Sequence, residues 1–183
     1  GEDGTVQGMF QLMGVPVVGC GTLASALCMD KHRAHQVARA VGVAVPRGCR
    51  LARSFQMDEA QVHAAAMRYP LFVKPVRAGS SFGVTKVAGP QELADALELA
   101  FRYDGEVVME EAVPGFEVGC AVMGNDCLTV GEVDEIQLAE GFFDYAEKYT
   151  LKTTAIHVPA RVDAATTRRI KDAAQTIYRA LGC

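Results

Sequence analysis

The chain has 183 residues, about one domain and a remainder, and half of it is apolar against 22% charged, which excludes a disordered or collagen-like polymer. Lys and Arg total 18 against 22 Asp and Glu, a formal net charge of -4, so no basic field is present to hold a nucleic acid. The six cysteines (Cys20, Cys28, Cys49, Cys120, Cys127 and Cys183) show no C-x-x-C spacing and no ligand pattern with the four histidines, and read as reduced thiols of a cytoplasmic protein.

Residues 4–29 carry no charge. Gly4, Gly8, Gly14, Pro16, Gly19 and Gly21 break this stretch, Gln7 and Gln11 interrupt it, and acidic Glu2 and Asp3 precede it, so buried helix and strand fit it better than a membrane span or a signal peptide. Val6, Met9, Phe10 and Met13 recur at helical spacing before Gly14, and Val15–Val18 reads as a short buried strand. Helices are expected over 22–29 and 30–41, with Thr22 and Asp30 as N-caps and Gly42 as the stop, and another over 58–69. Leu71-Phe72-Val73-Lys74-Pro75 is then a strand ended by proline, Ala78-Gly79-Ser80-Ser81-Phe82-Gly83 a loop of small residues, and Val84–Val87 the returning strand of a hairpin. Leu93, Ala96, Leu97 and Ala100 mark an amphipathic helix over 91–103, followed by a strand at Val107–Glu110. Three more strands are expected at 116–123, 128–136 and 153–158, with the polar, aromatic segment 141–151 as a surface loop. Residues 163–181 close as a helix with Ile170, Ala173, Ala174, Ile177 and Leu181 on one side. Strand pairs and helices mix without strict alternation, which predicts an α+β fold rather than a doubly wound sheet. The chain starts at Gly1 without a Met and stops at Cys183, just past the helix end at Gly182, so it is expected to be a piece of a larger protein.

The strongest local chemical signal runs from Lys74 to Gly83. A loop of small residues lets backbone N–H groups converge on phosphate oxygens, while serine hydroxyls and a lysine at the strand end add donors and charge. It is not a Walker motif, since Val84 follows Gly83 where that motif needs a lysine, and an ordinary glycine hairpin is the alternative. Gly19-Cys20-Gly21-Thr22-Leu23-Ala24 fits G-x-G-x-x-A between a predicted strand and a helix, the opening of a dinucleotide fingerprint. The acidic residue that the fingerprint needs about 20 positions on is missing, and Arg47 would suit a 2'-phosphate instead, which leaves an NADP-binding oxidoreductase as a rival and a tight glycine turn as the plain account. Lys31 sits at a helix start, where a cation opposes the helix dipole unless it meets an anion such as phosphate or is balanced by Asp30. Glu110 and Glu111 end a strand before Ala112-Val113-Pro114-Gly115, a crossing where a purine edge could meet backbone and one carboxylate while Glu117 reaches a sugar. Glu132 and Asp134 share a strand face and could chelate a cation, although a polar sheet face accounts for them as well. His32, His35, His63 and His157 find no partners in the sequence.

Taken in order, Gly1-Glu2-Asp3-Gly4, Met29-Asp30-Lys31, Phe72-Val73-Lys74-Pro75 with Gly79–Gly83, Met109-Glu110-Glu111 with Glu117, and Phe143-Asp144-Tyr145-Ala146-Glu147-Lys148-Tyr149 resemble the D-alanine:D-alanine ligase family of ATP-grasp enzymes over essentially the whole chain. The resemblance implies the tail of an N-terminal α/β domain at 1–20, a central ATP-grasp subdomain at 21–114 and a truncated C-terminal subdomain at 115–183. It implies ATP-dependent ligation of D-alanine to a second D-amino acid through an acyl phosphate, for peptidoglycan precursors, with catalysis by orientation and charge stabilisation. By resemblance Lys31 and Lys74 bind ATP phosphates under a flap of Gly79, Ser81, Phe82 and Gly83. Glu110 and backbone near Val113 hold adenine, Glu117 the ribose, and Glu111 is a further cofactor-binding residue. Ser80 and Tyr149 resemble two members of a hydrogen-bonded triad, Lys148 a phosphate contact of the lid, and Glu2 a support of that network. The third triad member, a glutamate, would lie before this chain. The substrate arginine and the magnesium ligands would lie beyond Cys183, so 1–183 alone should be inactive. The lid Asp144–Thr153 is of the tyrosine type, which disfavours D-lactate, while Glu117–Asn125 and Gly131–Asp134 resemble the glycopeptide-resistance branch. Together they are most similar to D-alanine:D-serine ligases of vancomycin resistance, with a homodimer implied. A housekeeping D-alanine:D-alanine ligase and a non-catalytic nucleotide-binding module are the other readings.

Overall fold

The structure is a computed structural model that describes residues 1–138 and 154–183. It opens with three helices, α1 (Thr5–Leu12), α2 (Thr22–Met29) and α3 (Lys31–Ala40). Asp30 is the N-cap of α3 as expected, its carboxylate accepting from the Arg33 N–H at 2.8 Å. Thr22 does not cap α2; Gly21 holds that position, and the Thr22 hydroxyl bonds the Gln11 amide oxygen at 3.0 Å. The uncharged stretch 4–29 is much less buried than expected. α1 buries no residue, and Val15–Val18 forms no strand, with Val18 fully exposed. A β-branched run becomes a strand only where a partner edge is in reach, and this one joins neither sheet.

A four-stranded antiparallel sheet follows in the order β1 (Gly48–Ala52), β4 (Glu106–Glu111), β2 (Leu71–Pro75), β3 (Thr85–Val87). β2 and β3 are the predicted hairpin, whereas β1 is an addition that the sequence reading does not contain. The register places Leu71, Val73, Val87, Val107, Met109 and Leu51 on one face. That face packs on α4 (Met57–Ala65) and α5 (Leu93–Phe101) through Ala60, Ala64, Leu93, Ala96, Leu97 and Ala100, which form the core. α4 is shorter than the predicted 58–69, and the turn Pro90–Glu92 that leads into α5 is 3₁₀. Period-two alternation sends Phe72, Lys74, Val108 and Glu110 to the other face.

A second antiparallel sheet has the order β5 (Glu117–Met123), β6 (Thr129–Leu138), β7 (Thr154–His157), with a register shift between Cys120 and Val122. α6 (Ala164–Leu181), capped by Asp163 and stopped by Gly182 in the left-handed conformation, lies on β5 and β6 and also meets α3. Glu135 is buried on β6 and receives Arg161 in two side-chain bonds and one backbone bond. These hydrogen bonds from Arg161 pull the Glu135 carboxyl down to about 2. Both sheets are antiparallel, and the mixed α+β expectation holds. Among the described residues no helix is long and apolar enough to cross a membrane.

Truncating Leu97, which is 1% exposed in the core, to Ala is expected to lower the unfolding free energy by about 3 kcal/mol in urea titration. The folded pKa of Glu135 lies below its unfolded value, so its pairing contributes stability above about pH 4.5 and loses it as pH falls towards 2. Arg161→Met should therefore lower Tm at neutral pH by an amount that shrinks on acidification; a pH-independent gap would contradict the pairing.

Candidate functional site

The loop between β2 and β3 is anchored at its root by charge. The Arg77 backbone N–H donates to Asp104 Oδ2 at 2.7 Å, and its guanidinium reaches Oδ2 at 3.2 Å, Oδ1 at 2.8 Å and Glu106 Oε2 at 3.0 Å. Burial alone would raise the Asp104 carboxyl, but the hydrogen bonds from Arg77 and from the Glu106 N–H outweigh it and hold it below its usual value. Further out, Phe82 N–H donates to Gly79 O and Val84 N–H to Ser81 O. Ser80 and Ser81 both occupy the left-handed region, φ 50° and 59°, a conformation that a non-glycine residue holds at a cost of roughly 1–2 kcal/mol and that marks functional loops more often than inert turns. Gly83 has φ +68°, and a Cβ there would meet Tyr103 at 2.6 Å and Pro75 at 2.9 Å. The Phe82 ring leans on Tyr103 with centroids 6.0 Å apart. A Cβ on Gly79 would lie 3.9 Å from Glu2 Oε2, so Glu2 stands beside the loop.

Lys31 holds the same loop root from the helical side. Its N–H donates to Val76 O at 3.2 Å, and its ammonium donates to Pro75 O at 3.0 Å, Val76 O at 3.3 Å and Ala78 O at 2.6 Å. The charge that answers this cation at a helix start is thus a ring of carbonyl oxygens, a partner that neither the phosphate nor the Asp30 reading contains.

On the open face of the first sheet, Phe72 is directly opposite Glu110, and Lys74 is the diagonal neighbour whose ammonium pairs with Glu110 Oε1. The same ammonium stands 5.8 Å from the Phe72 ring centroid. Glu110 is only 5% exposed, and its Oε2 has no hydrogen-bond partner among the described residues. His35, one turn after Lys31 on α3, brings Nδ1 to 3.8 Å from that oxygen. Burial lowers the His35 pKa, Glu110 opposes the shift and Lys74 adds to it. Lys31, His35, Lys74 and Glu110 therefore assemble around the end of β2. The sequence signal for His35 is its i+4 spacing from Lys31, which means little until Glu110 is known to face it.

The remaining candidates separate. Glu111 points away from Glu110 and accepts from the Arg68 N–H at 3.0 Å, so its carboxylate ties a turn. Val113 and Glu117 are exposed, on the linker between the sheets and at the start of β5. Lys148 and Tyr149, with the whole 141–151 loop, lie outside the described residues. Glu132 pairs with Lys171 at 2.9 Å, and Asp134 lies against Gly119, so the two do not converge; among the described residues no group of three or more His, Cys, Asp or Glu could hold a metal ion. Gly21 does cap α2, but no strand precedes it, and the dinucleotide fingerprint lacks the strand–turn–helix frame it needs.

The family model for the D-ala D-ala ligase C-terminus matches residues 37–183. Among solved structures, the VanG D-Ala:D-Ser ligase from Enterococcus faecalis is similar with a TM-score of 0.91 and 59% identity, over 100% of this chain and 53% of that one. The vancomycin B-type resistance protein VanB of Enterococcus faecalis is 47% identical over 191 residues, covering 100% of this chain and 54% of its own length. A putative D-alanine--D-lactate ligase of Streptomyces coelicolor is 46% identical, covering 100% of this chain and 53% of its own length. The chain spans about half the length of the curated relatives it matches.

Gly83→Ala is expected to destabilise the protein by about 1–2 kcal/mol through its positive φ and to displace Tyr103. Thermal melting together with loss of the Phe82–Tyr103 nuclear Overhauser contact checks both.

Proposed function

The chain belongs to the D-alanine–D-alanine ligase family, and from that premise we propose that it is the nucleotide-binding part of a D-alanine:D-serine ligase of glycopeptide resistance. The observation that carries this reading is the convergence of Lys31, Lys74 and Glu110 at the root of the Gly79–Gly83 loop. Among the described residues Glu110 Oε2 is a buried acceptor without a donor, and the exocyclic amine of adenine is a donor of the kind it lacks. Val113 backbone and Glu117 complete the base and ribose contacts in this reading, while Glu111 stays with Arg68. Gly79, Ser81, Phe82 and Gly83 form the flap, and the strained serines give it a conformation that a bound phosphate chain would reward.

The chemistry follows from the charges. The carboxylate of D-alanine attacks the γ-phosphorus of ATP to give an acyl phosphate and ADP, and the amine of the second substrate then displaces phosphate. Both steps concentrate negative charge, which Lys31 and Lys74 balance from fixed positions and which the flap shields from water. Ser80, Tyr149 and Lys148, with Glu2 behind Ser80, orient the reacting carboxylate and phosphate. Magnesium, when bound, would neutralise phosphate charge; among the described residues no group of three or more His, Cys, Asp or Glu would hold it. The division at 1–20, 21–114 and 115–183 and a homodimeric whole are part of this proposal.

D-serine as the second substrate is supported by the 59% identity to a D-Ala:D-Ser ligase against 46% to a putative D-lactate ligase, and by the tyrosine-type motif Asp144–Thr153. The test is competition: full-length enzyme given ATP, D-alanine, D-serine and D-lactate together should form mainly D-alanyl-D-serine. Predominant D-alanyl-D-alanine would favour the housekeeping reading, and predominant depsipeptide would end the D-serine assignment. Lys74→Met should lower kcat/KM by about 100-fold in the same assay.

A further inference from the structure

The site leaves one group without a task. His35 is half-buried and faces Glu110, yet nothing in the phosphate and base contacts above uses it. We propose that His35 is a positioning residue that governs the free oxygen of Glu110: neutral, with its proton on Nε2, it leaves Oε2 open to the exocyclic amine of the nucleobase; protonated on both nitrogens, it takes that oxygen for itself. The proposal rests on the nucleotide reading and adds a control to it.

The geometry supplies the competition. Oε1 of Glu110 is already engaged by Lys74. Oε2 is buried and without a partner among the described residues, an expensive state for a carboxylate oxygen, and Nδ1 of His35 is the nitrogen facing it, at 3.8 Å. That gap is too long for a hydrogen bond but short enough for an imidazolium to close with a small rotation. An N–H from a ligand and an N–H from the imidazolium would approach the same buried atom. Burial, with Lys74 across on β2 and Arg39 and His32 along α3, lowers the His35 pKa against the pull of Glu110 on β4. α2, which packs on α3, carries no charged side chain, and α6, which also packs on α3, carries Arg168, Arg169, Lys171, Asp172 and Arg179. Linkage fixes the sign: if protonation of His35 weakens nucleotide binding, nucleotide binding must lower the His35 pKa by the same factor.

The experiment measures ATP dissociation constants for the full-length ligase between about pH 7.5 and about pH 5.5, where histidines titrate, for the parent, His35→Asn and His35→Gln. Expected is an ATP Kd that rises on acidification at least about threefold more in the parent than in either variant, the titration of the ATP phosphate being common to all three, with the His35 ring resonance titrating at lower pH when a non-hydrolysable ATP analogue is bound. Equal weakening of binding at every pH in the variants would show a packing role and overturn the proposal, as would a His35 pKa that does not fall on analogue binding. If the parent binds no ATP at neutral pH, the nucleotide reading itself fails; if it binds ATP with a pH dependence equal to that of both variants, only the role of His35 fails.

Discussion

The arrangement depends on Lys31. Its backbone and side chain donate four hydrogen bonds to the carbonyls of Pro75, Val76 and Ala78, so a single residue ties the start of α3 to the end of β2. Charge-assisted bonds of this kind are about twice as strong as neutral ones, and three of them converge on one ammonium. The loop that follows β2 inherits its starting direction from that tie on one side and from the Arg77–Asp104 clamp on the other. The helix that carries Lys31 also carries His35, so fixing the loop root and placing an imidazole near Glu110 are consequences of one docking event.

The four-stranded sheet divides its labour by face. One side is apolar and sealed by α4 and α5, with Leu71, Val73 and Met109 fully buried. The other side carries Phe72, Lys74 and Glu110, which contact one another there. The same strands do both, because successive residues alternate across the pleat. Glu110 and Glu111 show the rule at its sharpest: adjacent in sequence, one enters the polar site and the other caps the turn at Arg68.

Much of this was legible before any coordinates. The β2–β3 hairpin announces itself by a proline at the strand end and a run of small residues, and the Asp30 cap by a short acceptor before a helical pattern; both are local signals. What escaped the sequence is non-local. β1 has a plain five-residue pattern and exists because β4 offers an edge, while Val15–Val18 has the stronger strand composition and no edge to join. His35 gains meaning only from Glu110, which arrives on another element. Lys31 stands out in the sequence as a cation at a helix start, and the carbonyl oxygens it meets come from the end of a distant strand that no local pattern places beside it.

The separation of the two sheet faces bears on how such a protein can diverge. Exchanges on that second face leave the packing beneath α4 and α5 intact, but Glu110 is buried and paired with Lys74, so these two positions can change only as a unit without stranding a charge. Relatives can therefore vary along these strands and still keep a nearly superimposable scaffold, provided the pair is kept or replaced together.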